Sequence, residues 1–268
     1  MRPLPTLSAL VLFSPVAALY HNGSSTNNTS NTIPTITQDS IDGDRHYSAP
    51  YFPLLGFEES AANPILSPDP THNWEAAYLY NPSAIVVDDM IWLLYRAQNK
   101  SKTSSIGLAW SKDGLNFTRY EHPVLKPSEP YEQPGGCEDP RVIRVNGTFY
   151  MTYTGFDGVT ARLCLATSTD LVNWTKYGPI LPDVDDVVYE WQDALNTYRP
   201  RKGWSKSGSI LNERQPDGTY HMFFGESLLY QANSTDLIHW NYSTNSLPYA
   251  SKLNRSEERR VGKECMES

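Results

Sequence analysis

The chain has 268 residues, 39% hydrophobic and 12% aromatic, which is enough apolar material for one large core or two small ones and too much for a disordered chain. It carries 22 basic against 30 acidic side chains, a formal charge of −8 with no Lys/Arg block, and this argues against a nucleic-acid partner. Gly and Pro follow no collagen-like period.

Taken in chain order, Arg2 precedes a short apolar run, Leu7 to Phe13, and then Val16-Ala17-Ala18. A positive start, a short apolar stretch and small residues at the cleavage positions predict a secretory signal peptide over residues 1–18 and a secreted, extracellular protein beginning near Leu19. The run is shorter than the ~20 apolar residues that span a bilayer, so no membrane association is expected after cleavage. Residues 19–45 are rich in Ser, Thr and Asn without apolar periodicity, and read as a disordered leader. Asn22, Asn27 and Asn28 lie there in Asn-X-Ser/Thr sequons, and more follow at Asn99, Asn116, Asn146, Asn173, Asn233 and Asn241, the pattern of a secreted glycoprotein.

From about Trp74 the chain repeats itself. Met90 to Arg96, Thr148 to Thr154 and Thr219 to Gly225 align as aromatic-rich strands, apolar on both faces, as in sheets covered on each side. Each follows a turn: Asp88-Asp89, Asn146-Gly147 and Asp217-Gly218. Before each turn lies another strand, entered at Asn81-Pro82-Ser83, Asp139-Pro140-Arg141 and Ser207-Gly208-Ser209. After each hairpin comes Ala-x-Ser-x-Asp-x-x-x-Phe/Trp, ending at Phe117, Trp174 and Trp240. Four short strands per unit with one aromatic signature predict an all-β chain built of β-propeller blades, three to four of them within residues 46–254. The recurring Asp113, Asp170 and Asp236 are expected to shape corners and not to react, because Asp before a turn and a buried aromatic is corner chemistry.

Residues 255–268 break the pattern. Arg255 to Cys265 is highly charged, aperiodic, and matches the translation of a common sequencing-adapter oligonucleotide, so native sequence is expected to break off near Asn254. Cys137 and Cys164 then remain, and the sequence leaves open whether they pair or stay as buried thiols.

In a propeller the strands that open each blade face a shared funnel, so chemistry is expected where those openings differ. Gly135-Gly136-Cys137-Glu138-Asp139-Pro140-Arg141 stands out, with two carboxylates and a guanidinium after a double glycine. Together with Asn63-Pro64-Ile65, Tyr80-Asn81-Pro82, Leu94-Tyr95-Arg96-Ala97, Ser105 to Ala109 and Met151 to Thr154, this string resembles glycoside hydrolase family 130, the β-mannoside phosphorylases and mannosidases. The resemblance runs from roughly Asn63 to Trp240 and implies a five-bladed propeller, only part of which this chain spans.

By position, the resemblance makes Asp139 the proton donor of an inverting reaction on β-mannosides, its proton travelling through a sugar hydroxyl. Such a donor needs a raised pKa, from burial or from neighbouring Glu138, although strand alternation also lets Glu138 hold Arg141. Asn81, Arg96, Glu138, Arg141, Lys206, Trp191 and Trp204 are the expected substrate-binding residues. The acceptor decides the reaction: phosphate needs a basic cluster, drawn from Arg96, Arg141, Arg162 and Lys206, whereas water needs a carboxylate base. Asp183, Asp185, Asp186, Glu190 and Asp193 make the third approach acidic, and sugar phosphate made outside a cell is lost. Hydrolysis with Glu226 or Glu190 as base is therefore expected, with phosphorolysis as the alternative. Other five-bladed glycosidases, acting on arabinose, xylose or fructose linkages, and a non-catalytic carbohydrate-binding propeller also remain open. The six His are scattered, so no catalytic metal and no cofactor are expected; the expected partner is an oligosaccharide or polysaccharide.

Overall fold

The computed structural model describes residues 32–48, 59–184, 186–189, 198–226 and 229–243. The chain divides into Met1–Thr32 and Ile33–Ser268, and every strand of the described residues lies in the second unit. The described residues are all-β: fourteen strands and two single 3₁₀ turns.

The strands form three four-stranded antiparallel meanders, one for each copy of the sequence repeat. The first comprises β1 (Tyr78–Val87), β2 (Met90–Gln98), β3 (Ser104–Ser111) and β4 (Thr118–Arg119). The second comprises β5 (Gly136–Val145), β6 (Thr148–Phe156), β7 (Ala161–Ser168) and β8 (Thr175–Pro179). A hairpin of β9 (Asp186–Tyr189) and β10 (Tyr198–Arg201) precedes the third, which comprises β11 (Ser209–Ile210), β12 (Tyr220–Phe224), β13 (Tyr230–Ser234) and β14 (Asn241–Tyr242).

The turn residues act as their chemistry dictates. Asp88 and Asp89 both have positive φ, as do Asn146 and Gly147, the requirement for two-residue hairpins whose twist matches the strands. The third hairpin is looser, with only Gly218 left-handed before β12. The middle strands are covered on both sides in the first two meanders: Trp92 to Tyr95 and Met151 to Gly155 are buried throughout. The third departs from that expectation, since β12 alternates, with Tyr220, Met222 and Phe224 buried and His221 and Phe223 half-buried. His221 stays near solvent because it pairs with Asp217 at 2.7 Å.

The three repeated aspartates build corners, as expected. Asp113 accepts the N–H groups of Leu115 and Asn116, Asp170 those of Val172 and Asn173, and Asp236 those of Ile238 and His239. The preceding Ser111, Ser168 and Ser234 donate back to the same carboxylates. The residue after each Asp is left-handed: Gly114, then Leu171 and Leu237, whose side chains are buried. Burial of the two leucines offsets a backbone strain that Gly avoids.

A second device recurs that the sequence did not announce. Glu75 and Glu132 each end a 3₁₀ turn leading into a meander, and both are fully buried. Glu75 accepts from Tyr95 Oη at 2.9 Å and Arg119 Nη1 at 2.8 Å; Glu132 accepts from Tyr153 Oη at 2.8 Å and Lys176 Nζ at 2.6 Å. In each case the tyrosine comes from the second strand and the cation from the fourth, so the pair clamps the incoming loop across the meander. The third meander puts Phe224 and Tyr242 at the equivalent positions, packed edge to face at 5.9 Å.

Part of the expected disordered leader is ordered. Residues 33–45 lie against the sheets, with Ile33 and Ile36 on the main core and Asp42 bridged to Val87. Buried Arg144 donates to the carbonyls of Thr37 and Ser40 and to Asp42. The composition of this stretch hid its isoleucines and a guanidinium that uses main-chain carbonyls as partners. Cys137 and Cys164 are free, buried thiols, and burial pushes the Cys164 thiol up to about 12, which keeps it protonated.

Candidate active site

The openings of β1 and β5 are not plain strand. Each ladder slips its register there, between Tyr80 and Ser83 and between Glu138 and Arg141, and the residue at the slip is left-handed: Asn81 at φ 50° and Asp139 at φ 50°. Ser207, the third equivalent, has φ 60°. Asn and Asp tolerate this conformation better than other side chains, and a bulge re-aims the side chain it carries. Upstream, Gly136 at φ 115° makes a parallel bridge to Ser104, and a Cβ on it would lie 2.1 Å from the Ser104 carbonyl oxygen. Only glycine lets β5 come this close to β3.

These openings bring together two carboxylates and two cations. Asp139 Oδ1 accepts from Asn81 Nδ2 at 2.6 Å and from Arg96 Nη1 at 3.1 Å, while Oδ2 faces Lys206 Nζ at 3.5 Å. Arg96 also donates through Nη2 to Glu138 Oε1 at 2.6 Å and through Nε to Ser104 Oγ at 3.0 Å. Ser104 donates to the same Glu138 oxygen at 3.2 Å. The Arg96 guanidinium lies 4.7 Å from the centre of the Tyr80 ring. Its planar fork thus spans both carboxylates from one fixed position.

The two carboxylates are pushed apart. Burial raises both, but Asn81, Lys206 and Arg96 outweigh it at Asp139 and hold that carboxyl below the usual range. At Glu138 burial, helped by the Asp139 charge, prevails over Arg96 and holds the carboxyl above it. The raised pKa expected at Asp139 therefore falls on its neighbour, because Asp139 faces more donors. Glu138 also holds Arg96 and not Arg141, which stands exposed on β5 outside this hydrogen-bonded group.

Next to the group, the Gly225 N–H donates to the Lys206 carbonyl, which brings Glu226 alongside. Trp204 Nε1 donates to Glu226 Oε2 at 2.8 Å; its ring meets Phe156 edge-on at 6.3 Å, and the Arg201 guanidinium lies 4.3 Å from its centre. Arg162 is occupied elsewhere, paired with Asp157 at 2.6 Å. Glu190, Trp191, Asp185 and Asp193 lie outside the described residues, as do the side chain of Asp186 and residues 1–31 and 244–268; Asp183 is exposed. Sequence reasoning missed Ser104. The signal was a difference between repeats, since β7 has Ala161 where β3 has Ser104.

Among the described residues, Asp69, His72 and Glu75 have ligand atoms within 4.8 Å of one another. Glu75 is already neutralised by Arg119 and bonded to Tyr95, and a further cation there would meet the guanidinium. The arrangement reads as a half-buried polar network around buried Glu75.

The family model of glycoside hydrolase family 130, described as β-1,4-mannooligosaccharide phosphorylase, matches residues 59–264, and so runs past Asn254. A 1,2-β-oligomannan phosphorylase of Thermoanaerobacter sp. (strain X514) is 37% identical over 153 residues, 53% of this chain and 51% of that protein. A solved glycosyl hydrolase of Bacteroides ovatus is 35% identical, with a TM-score of 0.60, covering 71% of this chain and 58% of that one. Another structure, described as showing that this family of mannoside phosphorylases contains glycoside hydrolases targeting β-1,2-mannosidic linkages in Candida mannan, is also 35% identical. Its TM-score is 0.61, covering 74% of this chain and 61% of that one. The chain spans about half the length of the curated relatives it matches.

Proposed function

Because the chain belongs to glycoside hydrolase family 130, a family of carbohydrate-active enzymes, we propose that it breaks β-mannosidic bonds with Asp139 as proton donor and inorganic phosphate as acceptor. The architecture that goes with this reading is a five-bladed propeller in which each four-stranded meander is one blade. In an inverting displacement a phosphate oxygen attacks the anomeric carbon opposite the leaving oxygen, the glycosidic C–O bond breaks, and Asp139 supplies the proton that the leaving oxygen takes up. The product is mannose 1-phosphate. The observation that carries the phosphate reading is the convergence of Arg96 and Lys206 on Asp139. Arg141 stands exposed on the same strand. The names of two curated relatives, a 1,2-β-oligomannan phosphorylase and a β-1,2-mannobiose phosphorylase of Thermoanaerobacter sp. (strain X514), agree with it.

Hydrolysis is the second reading, favoured by Glu226, whose carboxylate accepts from Trp204 Nε1 and whose chain neighbour Gly225 donates its N–H to the Lys206 carbonyl. Incubation with β-1,2-mannobiose, with and without phosphate, separates the two. Phosphate-dependent release of mannose 1-phosphate is expected; equal release of free mannose without phosphate would replace phosphorolysis by hydrolysis. Cleavage of arabinan or fructan but not mannosides would overturn both.

We propose secretion separately, and it weighs against phosphate as acceptor because a sugar phosphate made outside a cell is lost. N-terminal sequencing of protein recovered from the medium is expected to read from near Leu19. That result would add weight to hydrolysis, and retention inside the cell would remove the objection to phosphate.

A further inference from the structure

A proton donor must first hold a proton, and the three donors that face Asp139 oppose that. Asn81 Nδ2 and Arg96 Nη1 occupy Oδ1, and both are donors. Oδ2 faces Lys206 Nζ, a donor with no lone pair, at 3.5 Å. Glu138, next along β5, is engaged by Arg96 and Ser104, and the Tyr80 ring lies under Arg96. An O–H on Asp139 thus has no acceptor among these contacts, and the side chain rests as a carboxylate. Oδ2 is the weak point, because Lys206 sits beyond ordinary hydrogen-bond length and its ammonium is partly exposed.

We propose that the acceptor anion loads the acid: a dianion drawing the Lys206 ammonium toward itself frees Oδ2 of Asp139, which then takes a proton from solvent. The bond formed is Oδ2–H, no bond to carbon changes, and the Asp139–Lys206 ion pair is replaced by a Lys206–anion pair. The negative charge of the anion beside the carboxylate favours the same protonation. The consequence is ordered chemistry, in which the donor is charged with its proton only when the acceptor is present to complete the displacement. This inference rests on the phosphate reading above.

Linkage makes the idea measurable, since an anion that loads a proton must in turn be bound more tightly as protons become abundant. Sulfate is a suitable probe because its charge is constant across neutral pH. Calorimetric titration of the full chain with sulfate, in two buffers of different ionisation enthalpy, is expected to show uptake of on the order of one proton per site, with affinity falling about tenfold per pH unit. Asp139→Asn should take up no proton and bind sulfate with an affinity that does not change with pH, so that it binds more tightly than the wild type by a margin that widens about tenfold per pH unit. Infrared difference spectra of the wild type should show a protonated carboxyl appearing on sulfate addition, which checks the assignment without the variant. Binding without proton uptake, or uptake that persists in Asp139→Asn, overturns the proposal while leaving phosphate as acceptor. Failure of both sulfate and phosphate to bind removes the phosphate reading and this inference with it.

Discussion

At Asp139 a left-handed backbone, a register slip and three donors act on one side chain. Arg96 is the part that cannot be exchanged, because its fork reaches Glu138, Asp139 and Ser104 at once. Arg96→Lys keeps the charge but loses that geometry, so kcat/KM on β-mannobiose should fall by at least about tenfold, measured by product release. Gly136 is equally constrained. A methyl group there meets the Ser104 backbone in a conformation that disfavours any Cβ, and Gly136→Ala should cost at least about 2 kcal/mol in a denaturant titration. The motif residues were legible in the sequence because they break the repeat. Their electrostatic order was not, since it depends on Asn81 and Lys206 arriving from other meanders.

At the scale of the element, the repeat itself explains most of the fold. Ser168 is buried, bonds Asp170 and accepts the N–H groups of Asp170 and Leu171, so Ser168→Ala should cost about 1–2 kcal/mol. The corner carboxylates also set an acid limit. Asp170 is held below its usual range by the donors around it, which overcome the opposing effect of burial, and Asp236 by His239 and the corner N–H groups. Groups depressed in the folded state stabilise it fully above the ordinary carboxylate pKa of about 4 and lose that contribution as pH falls through the lower folded value. Thermal stability should therefore decline below about pH 4, and Asp170→Asn should flatten that decline. The Glu132 clamp gives a sharper contrast. Lys176→Met leaves a buried carboxylate without its cation and should cost about 3–5 kcal/mol by denaturant titration. The corner aspartates were readable from spacing, whereas the clamps were not, because their glutamates lie in irregular 3₁₀ turns far from Tyr153 and Lys176 in sequence.

Across the whole molecule, residues 33–45 tie the turns of two meanders together. Asp89 pairs with Arg45, the Gln38 amide reaches the Asn146 carbonyl, and Arg144 gathers Thr37, Ser40 and Asp42. By composition this stretch reads as a leader, yet two isoleucines, Ile33 and Ile36, and a handful of main-chain acceptors suffice to fasten it. Arg144→Met removes the guanidinium that holds the strap, so limited proteolysis within residues 33–48 should accelerate in the variant and not in the wild type. The account of function, in turn, depends on one group: Asp139 as the donor in β-mannoside cleavage. The most direct measurement is turnover of β-1,2-mannobiose with saturating phosphate by the wild type and by Asp139→Asn, with mannobiose affinity determined alongside. The account predicts phosphate-dependent turnover that falls by about 10²–10⁴-fold in the variant while affinity is retained. Equal turnover by both proteins would contradict it.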